Sequence, residues 1–172
     1  MDAIITEPAR VNYFQLKVDD VQYTEDDFAL AREMHKSLLM EARKDQFLAY
    51  VLENSDTQKF MVKEREFDYC DFKFTLPTRC KWDWFLSAAG FDLKTTFARS
   101  QQEFDEAVDF FDWDRSRAWY MDIAGSDKDF IYAISKKNCK IFKKFIERGD
   151  QVYRRGFDKY NELALKYYLF VL

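Results

Sequence analysis

Over Ser126–Leu172 the apolar residues recur at helical spacing for longer than anywhere else in the chain, and any fold has to bury that pattern. Ser126 with Asp129 three residues on has the form of a capping box with Asp in place of Glu. Ile131, Ile134, Ile141, Phe142 and Phe145 then line one face, with Asn138 interrupting the row. Lys136, Lys140, Lys143, Lys144 and Glu147 lie opposite. The spacing predicts a helix of about six turns, ended by a cation and a glycine at Arg148–Gly149. Asp150 opens a second predicted helix with the stripe Tyr153, Phe157, Tyr160, Ala164, Tyr167, Val171, in which Gly156 marks a kink or a close backbone approach. The short link between them predicts an antiparallel helical hairpin.

Both predicted helices carry a mainly basic outer face. Residues 127–172 hold 11 Lys/Arg against 6 Asp/Glu, a surplus of 5, whereas residues 1–126 hold 16 against 25, a deficit of 9, giving the net −4 of the chain. Such polarity steers a partner of opposite sign. Aromatic residues make up 19% of the sequence, and large rings dominate interfaces as well as cores. The candidate partner-binding set is therefore Lys136, Lys140, Lys143, Lys144, Arg148, Arg154, Arg155 and Lys159, with Tyr153 and Tyr160. The expected partner is another protein or a protein–nucleic-acid complex. Direct nucleic-acid binding is the alternative, a homodimer is allowed, and the basic surplus also suits pairing with the acidic part of the same chain.

Upstream, Val11–Val18 reads as a strand and Asp19–Asp20 as a turn. Thr24 caps a helix with three acids in its first turn and a stripe Phe28, Ala31, His35, Leu38, Ala42. Gln46–Glu53 fits a helix or a buried strand. Lys59–Leu76 alternates as one or two strands that Pro77 ends, and Trp82–Ala89 reads as a short helix stopped by Gly90. Ser100 and Glu103 form a capping box for a helix with an acidic exterior, and Arg115–Ile123 reads as a further helix ended near Gly125. Strands first and helices after predict an α+β fold. A small antiparallel sheet from the N-terminal half would pack with a mainly helical C-terminal half ending in the helical hairpin. Residues 1–172 are expected to form one domain, with a soft subdivision into 1–125 and 126–172.

Catalytic templates find little purchase. No GxGxxG or GxxxxGK[ST] occurs, so both common phosphate cradles are disfavoured. His35 is the only histidine, and Cys70, Cys80 and Cys139 lack paired metal-ligand spacing. No catalytic residue, metal site or cofactor is assigned. One exception is Asp71-x-Lys73, on a predicted strand below Glu64, Glu66 and Asp68. Restriction-endonuclease-type enzymes use an upstream acid and an (Asp/Glu)-x-Lys strand, the carboxylates holding Mg²⁺ and the lysine helping the attacking water. The sequence thus favours a non-enzymatic inhibitor or adaptor of viral or mobile-element type, with a nuclease or nucleic-acid binder using Asp71 and Lys73 as the alternative. Sparse cysteines and no opening secretory segment predict a cytoplasmic setting, and the apolar end at 163–172 is too short to span a bilayer.

Overall fold

The computed structural model describes Ile5, residues 17–18 and residues 21–172. Lys17–Val18 (β1) pairs with Val21–Gln22 (β2); the rest of the strand expected over Val11–Val18, and the Asp19–Asp20 turn, lie outside the described residues. Helix α1 (Glu25–Ala42) starts at a full capping box, in which the Thr24 hydroxyl accepts from the Asp27 amide and Asp27 accepts in return from the Thr24 amide. Asp45 caps α2 (Gln46–Asn54), which resolves the helix-or-strand alternative for this segment in favour of helix.

A five-stranded sheet follows in the order β3 (Asp56–Tyr69), β4 (Phe72–Leu86), β5 (Ala89–Thr96), β6 (Lys128–Ser135), β7 (Ile141–Glu147). All pairs are antiparallel except β5–β6. That parallel pair needs a crossover, which α3 (Gln101–Phe110) and α4 (Trp113–Ala124) supply before α5 (Gln151–Phe170) closes the chain. The fold is α+β. Helices α1 and α2 cover one face of the sheet through Leu38, Leu48, Val51, Trp84, Phe91 and Tyr132. Helices α3, α4 and α5 cover the other through Trp82, Phe104, Met121, Ile131, Phe142 and Tyr160.

Four expectations are corrected. The first helix of the C-terminal hairpin is instead the β6–β7 hairpin, so the chain ends in a single helix and the sheet is mixed rather than antiparallel. Residues Phe130–Ser135 of β6 are nearly all buried on both faces, so apolar residues fill both sides and the period-two signal is lost. Pro77 sits inside β4, where the strand has only β3 beside it and a missing N–H costs no second ladder. The helix expected over Trp82–Ala89 is the end of β4 and its turn into β5.

Gly156 is a close approach: a Cβ there would collide with the Asp114 carbonyl, so α5 lies directly on α4. Gly90 plays the same part for the Trp82 ring. Among the described residues, no helix is long and apolar enough to cross a membrane.

Candidate active site

The backbone pairing of β4 with β5 covers Leu86↔Ala89, Phe85↔Gly90 and Trp84↔Phe91 and then stops. The Leu93 N–H donates instead to the Asp83 carboxylate, at 2.8 Å. A side chain replaces a backbone acceptor, and the two strands part at that point. Upstream of Asp83, β4 keeps its pairing with β3, while β5 runs on beside β6.

Asp92 and Lys94 flank Leu93. Leu93 points into the α1–α2 core, so strand alternation turns Asp92 and Lys94 to the α4 side. Lys94 Nζ lies 2.6 Å from Asp92 Oδ2, and the Arg117 guanidinium of α4 lies 2.9 Å from Asp92 Oδ1. Arg117 Nε is 3.6 Å from Asp129 on β6, which follows the same face as Ile131. Trp82 and Tyr120 cover the guanidinium, with centroids 4.9 and 4.3 Å from its carbon. Arg117, Asp92 and Asp129 are all buried, while the Lys94 side chain keeps 28% of its surface in solvent and opens the cluster to the outside.

The charges are strongly coupled. Burial opposes ionisation of Asp92, but Arg117 and Lys94 outweigh it and hold the carboxyl below its ordinary range. For Asp129 burial wins over Arg117, and the nearby Asp92 charge adds to it, so its pKa is pushed up to about 8. Burial also works against the Arg117 charge, and Asp92, Asp129 and Asp83 more than restore it. Asp92 Oδ2, both Asp129 oxygens, and Nε and NH1 of Arg117 are buried without an aligned hydrogen-bond partner, although the ion pairs themselves are close. Buried polar atoms without well-aligned partners are costly in a protein interior.

This constellation is absent from the expectations drawn from sequence. Its signal, an acid nine residues before Asp-x-Lys, is visible at Asp83 and Asp92-x-Lys94, but reading Trp82–Ala89 as a helix hides the pairing. The Asp-x-Lys assigned from sequence sits elsewhere. Cys70 and Asp71, both with left-handed φ (51° and 64°), form the two-residue turn between β3 and β4. Lys73 is 83% exposed and reaches Asp68 at 3.5 Å. Beside the turn, Glu66, Asp68 and Lys73 line an open cleft of about 510 Å³, and Asp71 is not part of its lining.

The candidate partner residues have mixed surroundings. Lys143 pairs with Glu41 and Asp45, Lys144 with Asp105, and Arg148 with Asp122 and Asp127. Arg155 and Lys159 of α5 both engage Asp109 and Asp114. Tyr153 and Tyr160 are buried and donate to Asp122; burial and that carboxylate push both phenols above their ordinary range. Asp109 near the end of α3, Asp112 and Asp114 therefore meet Arg155 and Lys159 of α5 within the chain. Lys136, Lys140 and Arg154 are exposed. His35 lies on α1, across the sheet from Arg117, and burial pushes the Cys80 thiol up to about 11, so neither supports a nucleophile–base pair.

No family model matches the chain, and no curated protein matches it. Several solved structures resemble it, among them these two. One is a phage-related exonuclease from Haemophilus somnus 129PT, at a TM-score of 0.49 and 12% identity over 97% of this chain and 80% of that one. The other is SSO0001, at a TM-score of 0.44 and 11% identity over 83% of this chain; the match spans 62% of its length.

Proposed function

We propose that the protein is a Mg²⁺-dependent nuclease with its site at Asp83, Asp92 and Lys94. The observation that carries this reading is the parting of β4 and β5, which sets Asp83 against the amide between Asp92 and Lys94. The donor set fits the ion. Among the described residues, no three acids, histidines or cysteines converge to enclose a metal by themselves. Mg²⁺ does not require this, since one or two carboxylates suffice when waters and substrate phosphates complete the shell. Asp83 and Asp92 would be those carboxylates, Asp92 already carrying Lys94 on its Oδ2 and Arg117 on its Oδ1. When bound, the ion polarises a phosphodiester and acidifies its water.

The chain's own groups do the rest. Lys94, partly exposed, holds the attacking water and supplies a positive charge to the phosphate. Arg117 orients Asp92 from behind, and Asp129 holds Arg117 from its other side. The test is incubation of end-labelled DNA with Mg²⁺ or EDTA. Cleavage by the wild type that Asp92→Asn abolishes supports the reading; cleavage retained by Asp92→Asn removes it.

A second reading, an inhibitor or adaptor working through an aromatic surface, draws on a different observation. A groove of about 570 Å³ runs between β4, α4 and α5, lined by Leu76, Pro77, Trp119, Leu163 and Tyr167. Leu172 also lines it, and beyond it Leu169 and Phe170 are exposed, which suits an apolar partner or a second copy. Light scattering of the wild type and Phe170→Glu tests self-association; a monomer in both removes the dimer.

A further inference from the structure

Three residues past Lys94, the chain leaves β5 at Phe97, whose side chain is 63% exposed. A cleft of about 460 Å³ opens there, lined by Thr95, Thr96, Phe97, Glu106, Phe111 and Trp113. This volume lies in the range of small-ligand sites. Trp113 stands one helical turn before Arg117 on α4, and Thr95 follows Lys94 on β5, so the cleft is a sequence neighbour of the Asp92 cluster on both elements. Phe111, 57% exposed, stacks on Trp113 with centroids 5.4 Å apart at 24°. Lys136 and Lys137 hold their ammonium groups 5.2 and 5.4 Å from the Phe97 ring, and both residues are exposed.

The layout separates two chemistries. Large exposed rings line the cleft, cations stand at its rim, and the carboxylates of Glu103 and Glu106 lie inside it. Carboxylates repel phosphate but accept hydrogen bonds from exocyclic amino groups of bases. Rings give every base a face to stack on, and rim lysines track a phosphate backbone.

We propose that this cleft is a nucleobase subsite, taking an unpaired base of a single strand next to the scissile phosphate. Phe97 and the Phe111–Trp113 stack hold the base, and Lys136 and Lys137 hold the adjoining phosphates. The substrate is then a single-stranded nucleic acid or a frayed end rather than an intact duplex. This deepens the nuclease reading and rests on it for which phosphate is cut.

The test is anisotropy of a labelled oligodeoxycytidine 12-mer in EDTA at two salt concentrations, against a blunt duplex of equal length. The wild type is expected to prefer the single strand. Phe97→Ala with Phe111→Ala is expected to raise Kd by roughly tenfold, the scale of one lost base stack. Both rings are largely exposed, so the fold does not depend on them. A 2-aminopurine in the strand, read on the wild type alone, is expected to lose fluorescence on binding as it stacks. Unchanged affinity in the ring variant, an unquenched 2-aminopurine, or preference for the duplex would overturn the subsite. Asp92-dependent cleavage with unchanged ring-variant affinity defeats the subsite and keeps the nuclease. Ring-dependent binding without Mg²⁺-dependent cleavage does the reverse.

Discussion

The chain contains Asp-x-Lys twice, at Asp71–Lys73 and at Asp92–Lys94, and the two could hardly differ more in surroundings. The first begins in the hairpin turn between β3 and β4, in solvent, with Lys73 loosely paired to Asp68. The second lies in a central strand, where Asp92 is 5% exposed and meets a buried arginine. Water screens the first pair, so its charges carry little energy. In the second, low polarity magnifies each interaction, and leaving any member unpaired is costly. Residue type and spacing are equal in the two; position in the sheet decides which can do chemistry.

The comparison breaks most visibly in activity. Asp92→Asn is expected to reduce Mg²⁺-dependent cleavage to the rate without protein, and Asp71→Asn to leave it unchanged, both read from cleavage of end-labelled DNA. Equal losses would end the distinction. Lys94→Ala is expected to slow cleavage by roughly 10²–10³-fold, the usual loss on removing one group that stabilises transition-state charge, while Lys73→Ala matches the wild type in the same single-turnover assay.

Stability gives the next contrast. Arg117→Ala leaves the ionised Asp92 buried without its main counter-charge and is expected to cost about 3–5 kcal/mol in urea unfolding. Lys73→Ala is expected to shift the midpoint hardly at all.

The smallest effect concerns pH. Asp129 has a folded pKa of about 8, above its unfolded value, so the folded state binds the extra proton between the two. Its stabilising contribution is complete at low pH and is lost as pH rises through about 8. Asp129→Asn, which keeps the shape of the protonated acid, should flatten the fall in urea midpoint between about pH 5 and pH 9. An identical slope in both proteins would mean Asp129 titrates as an ordinary carboxylate.

A second pair of regions makes a similar point. Lys159 and Arg155 read from sequence as an outward basic face, and Asp109, Asp112 and Asp114 as an outward acidic one. In the fold α5 lies on α4 at Gly156, and these groups meet each other. Opposite net charges in two parts of a chain are thus as consistent with an internal seam as with an interface.

Local chemistry in the sequence determined the capped helices. Thr24 with Asp27, Ser100 with Glu103, and Asp150 ahead of Tyr153 each satisfy the first helical amides from a few residues away, so neighbours alone specify them. The α+β class and the stop of α4 at Gly125 were legible for the same reason. The tertiary structure alone decided the rest. β6 is buried on both faces, which erases the alternation that marks a strand. Asp83 joins Asp92 only because β4 and β5 part at Leu93, and Arg117 and Asp129 join them only through the α3–α4 crossover. Contacts made across a sheet leave no periodicity along the chain, so the charged cluster at the centre of the molecule could be read only from the fold.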